Sequence, residues 1–124
     1  MENIHNDFEK LEIPLMAKLV IAYQSAHKNI NSFPKHERYA LGEKIEETIL
    51  EAVEFIVHAN SSSKFEKERI LVRMNGKIEI LKILYRIALN CGIIEQRKYL
   101  EEQKALQECG RMAQGWIKYA RNLK

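Results

Sequence analysis

A chain of 124 residues with 46% hydrophobic and 30% charged residues fits one domain with one core, and that balance excludes a disordered segment. Its formal net charge is +3, yet residues 1–62 carry 6 Lys/Arg against 10 Asp/Glu, or −4, while residues 63–124 carry 14 against 7, or +7. The basic half can draw phosphates, or it can pair with the acidic half in the same chain or in a neighbour; charge alone leaves both open.

Two prolines and five glycines leave room for long helices. No sustained apolar–polar alternation marks a strand, and Asn75-Gly76 sits inside a helical pattern, which argues against a hairpin there. Residues 1–12 are polar and acidic and are expected to form a frayed segment ahead of a bundle domain of residues 13–124. They lack the basic start and apolar run of a signal peptide. The stretch Ile13–Tyr23 is interrupted by Lys18 and is too short to span a bilayer. A cytoplasmic protein with no membrane association is expected.

Pro14 is suited to the first turn of helix 1, where its missing N–H costs no hydrogen bond. Leu15, Leu19, Ala22, Tyr23, Ala26 and Ile30 then follow at steps of three and four, which predicts one buried face. Asn29–Ser32 ends the pattern. Pro34 marks the next start, with Ser32 or Phe33 at the cap. Leu41, Ile45, Thr48, Ile49, Ala52, Ile56 and Ala59 form the buried stripe of helix 2, and its glutamates fall mostly on the other side.

The run Asn60–Ser63 breaks that helix. Ser63 and Glu66 have the spacing of a capping box. Helix 3 carries Ile70, Met74, Ile78, Leu81, Tyr85 and Ala88, with Gly76 in mid-helix as a point of close approach for a neighbouring helix. Gly92 is placed to be its left-handed C-terminal residue. Helix 4 starts near Ile94 or Glu95, and Tyr99, Leu106, Cys109, Ala113, Trp116, Ile117 and Ala120 make its stripe. Four such helices with short links predict an all-α, antiparallel up-down-up-down four-helix bundle.

The chemistry-bearing residues are sparse. Asp7 is the sole aspartate. Glu46-Glu47 and Glu101-Glu102 read as solvated helix faces. His5, His27, His36 and His58 lie at no helical metal-pair spacing, and Glu54 and His58 are four apart rather than the three of a Glu-x-x-His pair, so no two inward-facing copies of that pair exist. Cys91 and Cys109 match neither a zinc pattern nor a CxxC pair and read as half-buried thiols. No nucleophile elbow or phosphate loop is present, and no Arg precedes a His at the four-to-six-residue spacing of some helical-bundle ribonucleases. No catalytic residue, metal or cofactor is expected.

The basic residues are the stronger signal. Arg69, Arg73 and Lys77 form one i, i+4 line on helix 3; Lys82 and Arg86 form a second, with Lys64 near its azimuth. Helix 3 has seven Lys/Arg against three Glu, so internal pairing cannot neutralise it. The last sixteen residues hold Arg111, Lys118 and Arg121 with no acid. These eight residues are the candidate contacts to nucleic acid or a protein partner, made to backbone phosphates without base reading. Gly110 and Gly115 suit close helix approach, and Trp116 beside them is either an anchor between copies or a plain core residue.

Three stretches then carry a resemblance: Phe33-Pro34-Lys35-His36-Glu37-Arg38-Tyr39-Ala40-Leu41-Gly42, Leu81-Lys82-Ile83-Leu84-Tyr85-Arg86, and Gly110-Arg111-Met112-Ala113-Gln114-Gly115-Trp116-Ile117-Lys118. Over about residues 13–121 the chain resembles the accessory variability determinant (Avd) proteins of diversity-generating retroelements. It also resembles the related four-helix proteins encoded within ribosomal-RNA intervening sequences, and on that branch the chain would be a structural or RNA-binding oligomer. The resemblance implies a homopentamer with a basic surface or channel. In the retroelement branch it implies a non-catalytic subunit that binds the reverse transcriptase and template RNA or complementary DNA during mutagenic copying. The family's basic helix-3 positions fall on Lys82 and Arg86, the first a Lys where some relatives have Arg. The first and last stretches favour the retroelement branch.

Overall fold

Pro14 does not open the first helix. The computed structural model describes the backbone of residues 4–123 and the side chains of residue 12 and residues 14–123. Helix α1 runs from Ile4 to Asn31 with Pro14 inside it. Pro14 offers no N–H to the carbonyl one turn back, but it is exposed, so water can take that place. Residues 1–3 and the side chains of His5 and Asp7 lie outside the described residues.

A single turn, Lys35–Glu37, and a π-helical stretch, Arg38–Gly42, lead into α2, Glu43–Ser61. Helix α3 spans Lys64–Asn90 and α4 spans Gln96–Arg121. The helices run up, down, up and down, and no strand occurs among the described residues. Helix α2 packs on α3, α3 on α4, and α1 closes the square against α2 and α4.

The π-helical entry was not legible in the sequence. It brings Gly42 against α1: a Cβ there would stand 2.7 Å from Ile30 Cγ2. Arg38 Nε donates to the Phe33 carbonyl at 3.1 Å, and Phe33 is buried beneath the turn. The cap of the turn is Pro34, one residue past the two candidates.

Nearly every residue of the four predicted stripes is buried; Tyr23, Leu41 and Ile70 are half-buried. The core has two halves. One gathers Leu15, Leu19, Ile56, Leu71, Met74 and Trp116; the other gathers Ile30, Phe33, Ile45, Leu81, Tyr85 and Leu106. Burial of each large aliphatic side chain contributes about 1.5–3 kcal/mol relative to exposure.

The links are set by backbone chemistry. Ser63 occupies the N-cap of α3, but its side chain makes no capping bond, so the expected box with Glu66 does not form. At the other end the expectation holds. Gly92 has φ +71°, Gly92 N–H donates to Leu89, and Ile93 N–H donates to Ala88 at 2.8 Å. Two orphan carbonyls of α3 are thereby satisfied. Gly76 departs from expectation: an added Cβ would meet nothing within 4 Å, so no helix of the same chain approaches it.

Candidate nucleic-acid and partner interface

The eight basic residues singled out by sequence do not converge on one patch. Their helix faces divide them into three groups. Arg69, Arg73 and Lys77 follow the side of α3 that borders α2. There the Arg73 guanidinium lies 5.9 Å from the centre of the Phe55 ring, and Lys77 Nζ lies 2.9 Å from Glu51 Oε1. Arg69 is exposed and forms no ion pair among the described residues.

Lys82 and Arg86 lie on the opposite side of α3, along α4. Arg86 Nε donates to Tyr99 Oη at 2.7 Å, and its guanidinium lies 5.7 Å from the centre of that ring. Lys82 Nζ lies 3.2 Å from Glu79 Oε2 and 3.8 Å from where a Cβ on Gly110 would be. Gly110 therefore opens room for the lysine rather than for a helix backbone. Arg121, near the end of α4, donates to Glu68 Oε2 at 2.8 Å on the same α3–α4 side.

Arg111 and Lys118 form the third group, on the outer face of α4. Arg111 contacts Glu108, while Lys118 has no ion pair among the described residues. Two residues that the sequence reading passed over complete this group. Arg97, Lys104, Arg111 and Lys118 recur every seven positions and all four are exposed. Seven residues make close to two turns, so the four cations form a column about 31 Å long at 1.5 Å rise per residue. Glu101 and Glu108 stand beside it, the first 3.3 Å from Arg97. Heptad spacing was the signal available for Arg97 and Lys104.

The remaining candidates resolve differently. Trp116 is fully buried among Leu15, Leu19, Met74 and Ile78 in its own chain, so it offers no surface to another copy. Gly115 is exposed, with nothing within 4 Å of an added Cβ.

Polar residues that carry structural duty account for several surprises. Glu102 is not on a solvated face: it is 5% exposed, accepts from Asn29 Nδ2 at 3.0 Å, and accepts from the Ser25 hydroxyl. It ties α4 to α1, as His27 Nδ1 and Glu46 Oε2, 2.9 Å apart, tie α1 to α2. Lys67, buried, is used up at the α2–α3 turn. Its Nζ donates to the carbonyls of Ala59 and Ser62 at 2.7 and 3.0 Å, and burial lowers its pKa from the ordinary value. Cys91 is exposed and Cys109 buried, so they are not a matched pair of half-buried thiols.

Among the described residues no group of three His, Cys, Asp or Glu is placed to hold a metal ion. No helix among them is long and apolar enough to cross a membrane. What the surface offers is positive charge on two helices, part of it held by side chains of the bundle and part, at Arg69, Lys104 and Lys118, without an ion pair among the described residues.

No curated protein matches the chain. The bAvd-like family model, however, matches residues 15–120, which takes in all four helices. The chain therefore belongs to the bAvd-like family, in agreement with the resemblance carried by its three sequence stretches.

Proposed function

We propose that this chain is a non-catalytic accessory subunit of a diversity-generating retroelement, acting in the cytoplasm as a homo-oligomer with no cofactor of its own, because the chemistry is the polymerase's. Its partners in this role are the reverse transcriptase and the template RNA or complementary DNA, and five is the subunit number the family resemblance implies. The observation that carries the nucleic-acid part is the exposed α4 column of Arg97, Lys104, Arg111 and Lys118. Family membership carries the retroelement part.

Such a column favours phosphate contacts. Each cation that neutralises a phosphate releases counterions, and the contact carries no base information. An accessory subunit that must hold whatever sequence is being copied needs that tolerance. Lys82 and Arg86 are a second candidate surface, but Arg86 is already bonded to Tyr99 and Lys82 lies beside Glu79. They suit a protein contact, where fixed geometry matters, better than a mobile strand.

The test is a pull-down with the reverse transcriptase encoded beside the gene, with and without its RNA. Wild type is compared with Lys82→Ala/Arg86→Ala and with Lys104→Ala/Lys118→Ala. Retention of the polymerase that the first variant loses, and of RNA that the second loses, is the expected result. No retention of either partner by wild type would overturn the proposal.

A further inference from the structure

The outer faces of α2 and α3 each carry an uncovered heptad stripe. On α2 it runs through Glu43, Glu47, Leu50, Glu54 and Val57, at steps of four, three, four and three. Leu50 and Val57 are 47% and 52% exposed. On α3 it runs through Arg69, Val72, Gly76, Ile80, Ile83 and Ile87, with Arg73 at its edge. Ile83 is 59% exposed, and Val72, Ile80 and Ile87 are exposed beside it. One stripe is acidic and apolar, the other basic and apolar. Two such stripes are what a pair of packed helices needs.

We infer that these stripes are the two halves of one contact between copies of this chain, α2 of one copy lying antiparallel on α3 of the next. This contact rests on the oligomer proposed above and names the surface that builds it. The two faces are different surfaces of one chain, so the contact is heterologous and repeats until a ring closes. The outward directions of neighbouring helices in a square bundle differ by roughly a quarter turn, which suits a ring of about four or five copies.

The register follows from the chain itself. A ring whose axis runs along the bundle leaves each residue at its own height in every copy. Within one chain, Glu51 is level with Lys77, and Phe55 with Arg73. The same counting puts Val57 within one residue of Val72, Glu54 within one residue of Arg73, and Leu50 midway between Gly76 and Ile80. Apolar residues then meet apolar residues and a carboxylate meets a guanidinium. Gly76 supplies the hole for Leu50, which explains a mid-helix glycine that nothing in its own chain approaches.

Cysteine pairing and charge exchange test the contact, in a Cys91→Ser background that removes the exposed native thiol. Val57→Cys and Val72→Cys proteins, each oxidised alone, should stay uncross-linked. Mixed, they should give a disulfide-linked dimer, and both substitutions in one chain should give a ladder of covalent oligomers. Sedimentation should show Glu54→Arg shifted to lower mass with its helical circular dichroism intact, and Glu54→Arg/Arg73→Glu shifted back. A wild-type chain that sediments as a monomer would remove the ring and this contact together. A wild-type oligomer that neither cross-links in the mixture nor responds to Glu54→Arg would leave the ring standing and overturn this surface.

Discussion

Lys67 Nζ donates to the Ala59 carbonyl at 2.7 Å, so a cation from the first turn of α3 closes the last turn of α2. The position suits the partial negative charge at a helix C-terminus, where free carbonyls gather. A second bond reaches Ser62 at 3.0 Å. Lysine here caps the C-terminus of α2, while the N-terminus of α3 has no side-chain cap.

Lys67→Met keeps the length of the side chain and removes both bonds. Hydrogen bonds to charged groups contribute about 1.5–3 kcal/mol, and the carbonyls left behind are partly shielded from water. A loss of about 2 kcal/mol in urea unfolding is expected, with little change in RNA binding. A variant as stable as wild type would show that water replaces the ammonium without cost.

Gly42 and Gly76 should respond to alanine with opposite signs. In a Glu54→Arg background, which lacks the contact between copies, the added methyl at Gly76 meets nothing within 4 Å, and alanine improves helix propensity by about 1 kcal/mol. At Gly42 it meets Ile30 Cγ2 at 2.7 Å, a branched methyl close to the α1 backbone, and overpacking of this kind costs about 1–3 kcal/mol. Thermal unfolding of Gly42→Ala and Gly76→Ala checks both. Equal shifts in one direction would contradict the packing at the head of α2.

The two thiols should differ in reactivity and in pH response. Cys91 is exposed and should react with a thiol reagent in the native state; Cys109 should react only on unfolding. Burial pushes the Cys109 thiol from 9.0 up to about 11. The unfolded chain therefore loses this proton first as pH rises, and the folded chain holds it. Between the two values the folded state binds more protons, so its stability falls as pH rises through that window. Urea midpoints measured across it should fall more steeply for wild type than for Cys109→Ala. Parallel curves would show that Cys109 ionises equally in both states.

The bundle was legible because apolar residues recur at helical steps and because glycine and proline are scarce. The same period gave the stripes ending in Ile30, Ala59, Ala88 and Ala120. Helix starts were harder to read. Pro14 has the right chemistry for a first turn but is also tolerated on an exposed helix face, and only three-dimensional context separates the two. Glu102 and Lys67 look like surface charges in sequence, since their partners on α1 and in the α2 end lie 73 and 8 residues away. The basic character of α3 and α4 was visible from counting, but its division into three faces depends on which side of each helix meets a neighbour. Trp116 illustrates the limit from the other side: sequence leaves an anchor between copies and a plain core residue both open, and only packing shows that it is core.

The most direct measurement is the salt dependence of binding to a single-stranded RNA longer than the α4 column, followed by fluorescence anisotropy. Lys104 and Lys118 form no ion pairs among the described residues, so Lys104→Ala/Lys118→Ala removes charge without disturbing a contact of the fold. Wild-type affinity should fall steeply with salt, and the variant should bind more weakly with a log–log slope shallower by about 1.4, two phosphate contacts at about 0.7 each. Wild-type binding that is absent at low salt, or a variant whose affinity and slope match wild type, would contradict the role assigned to the α4 column.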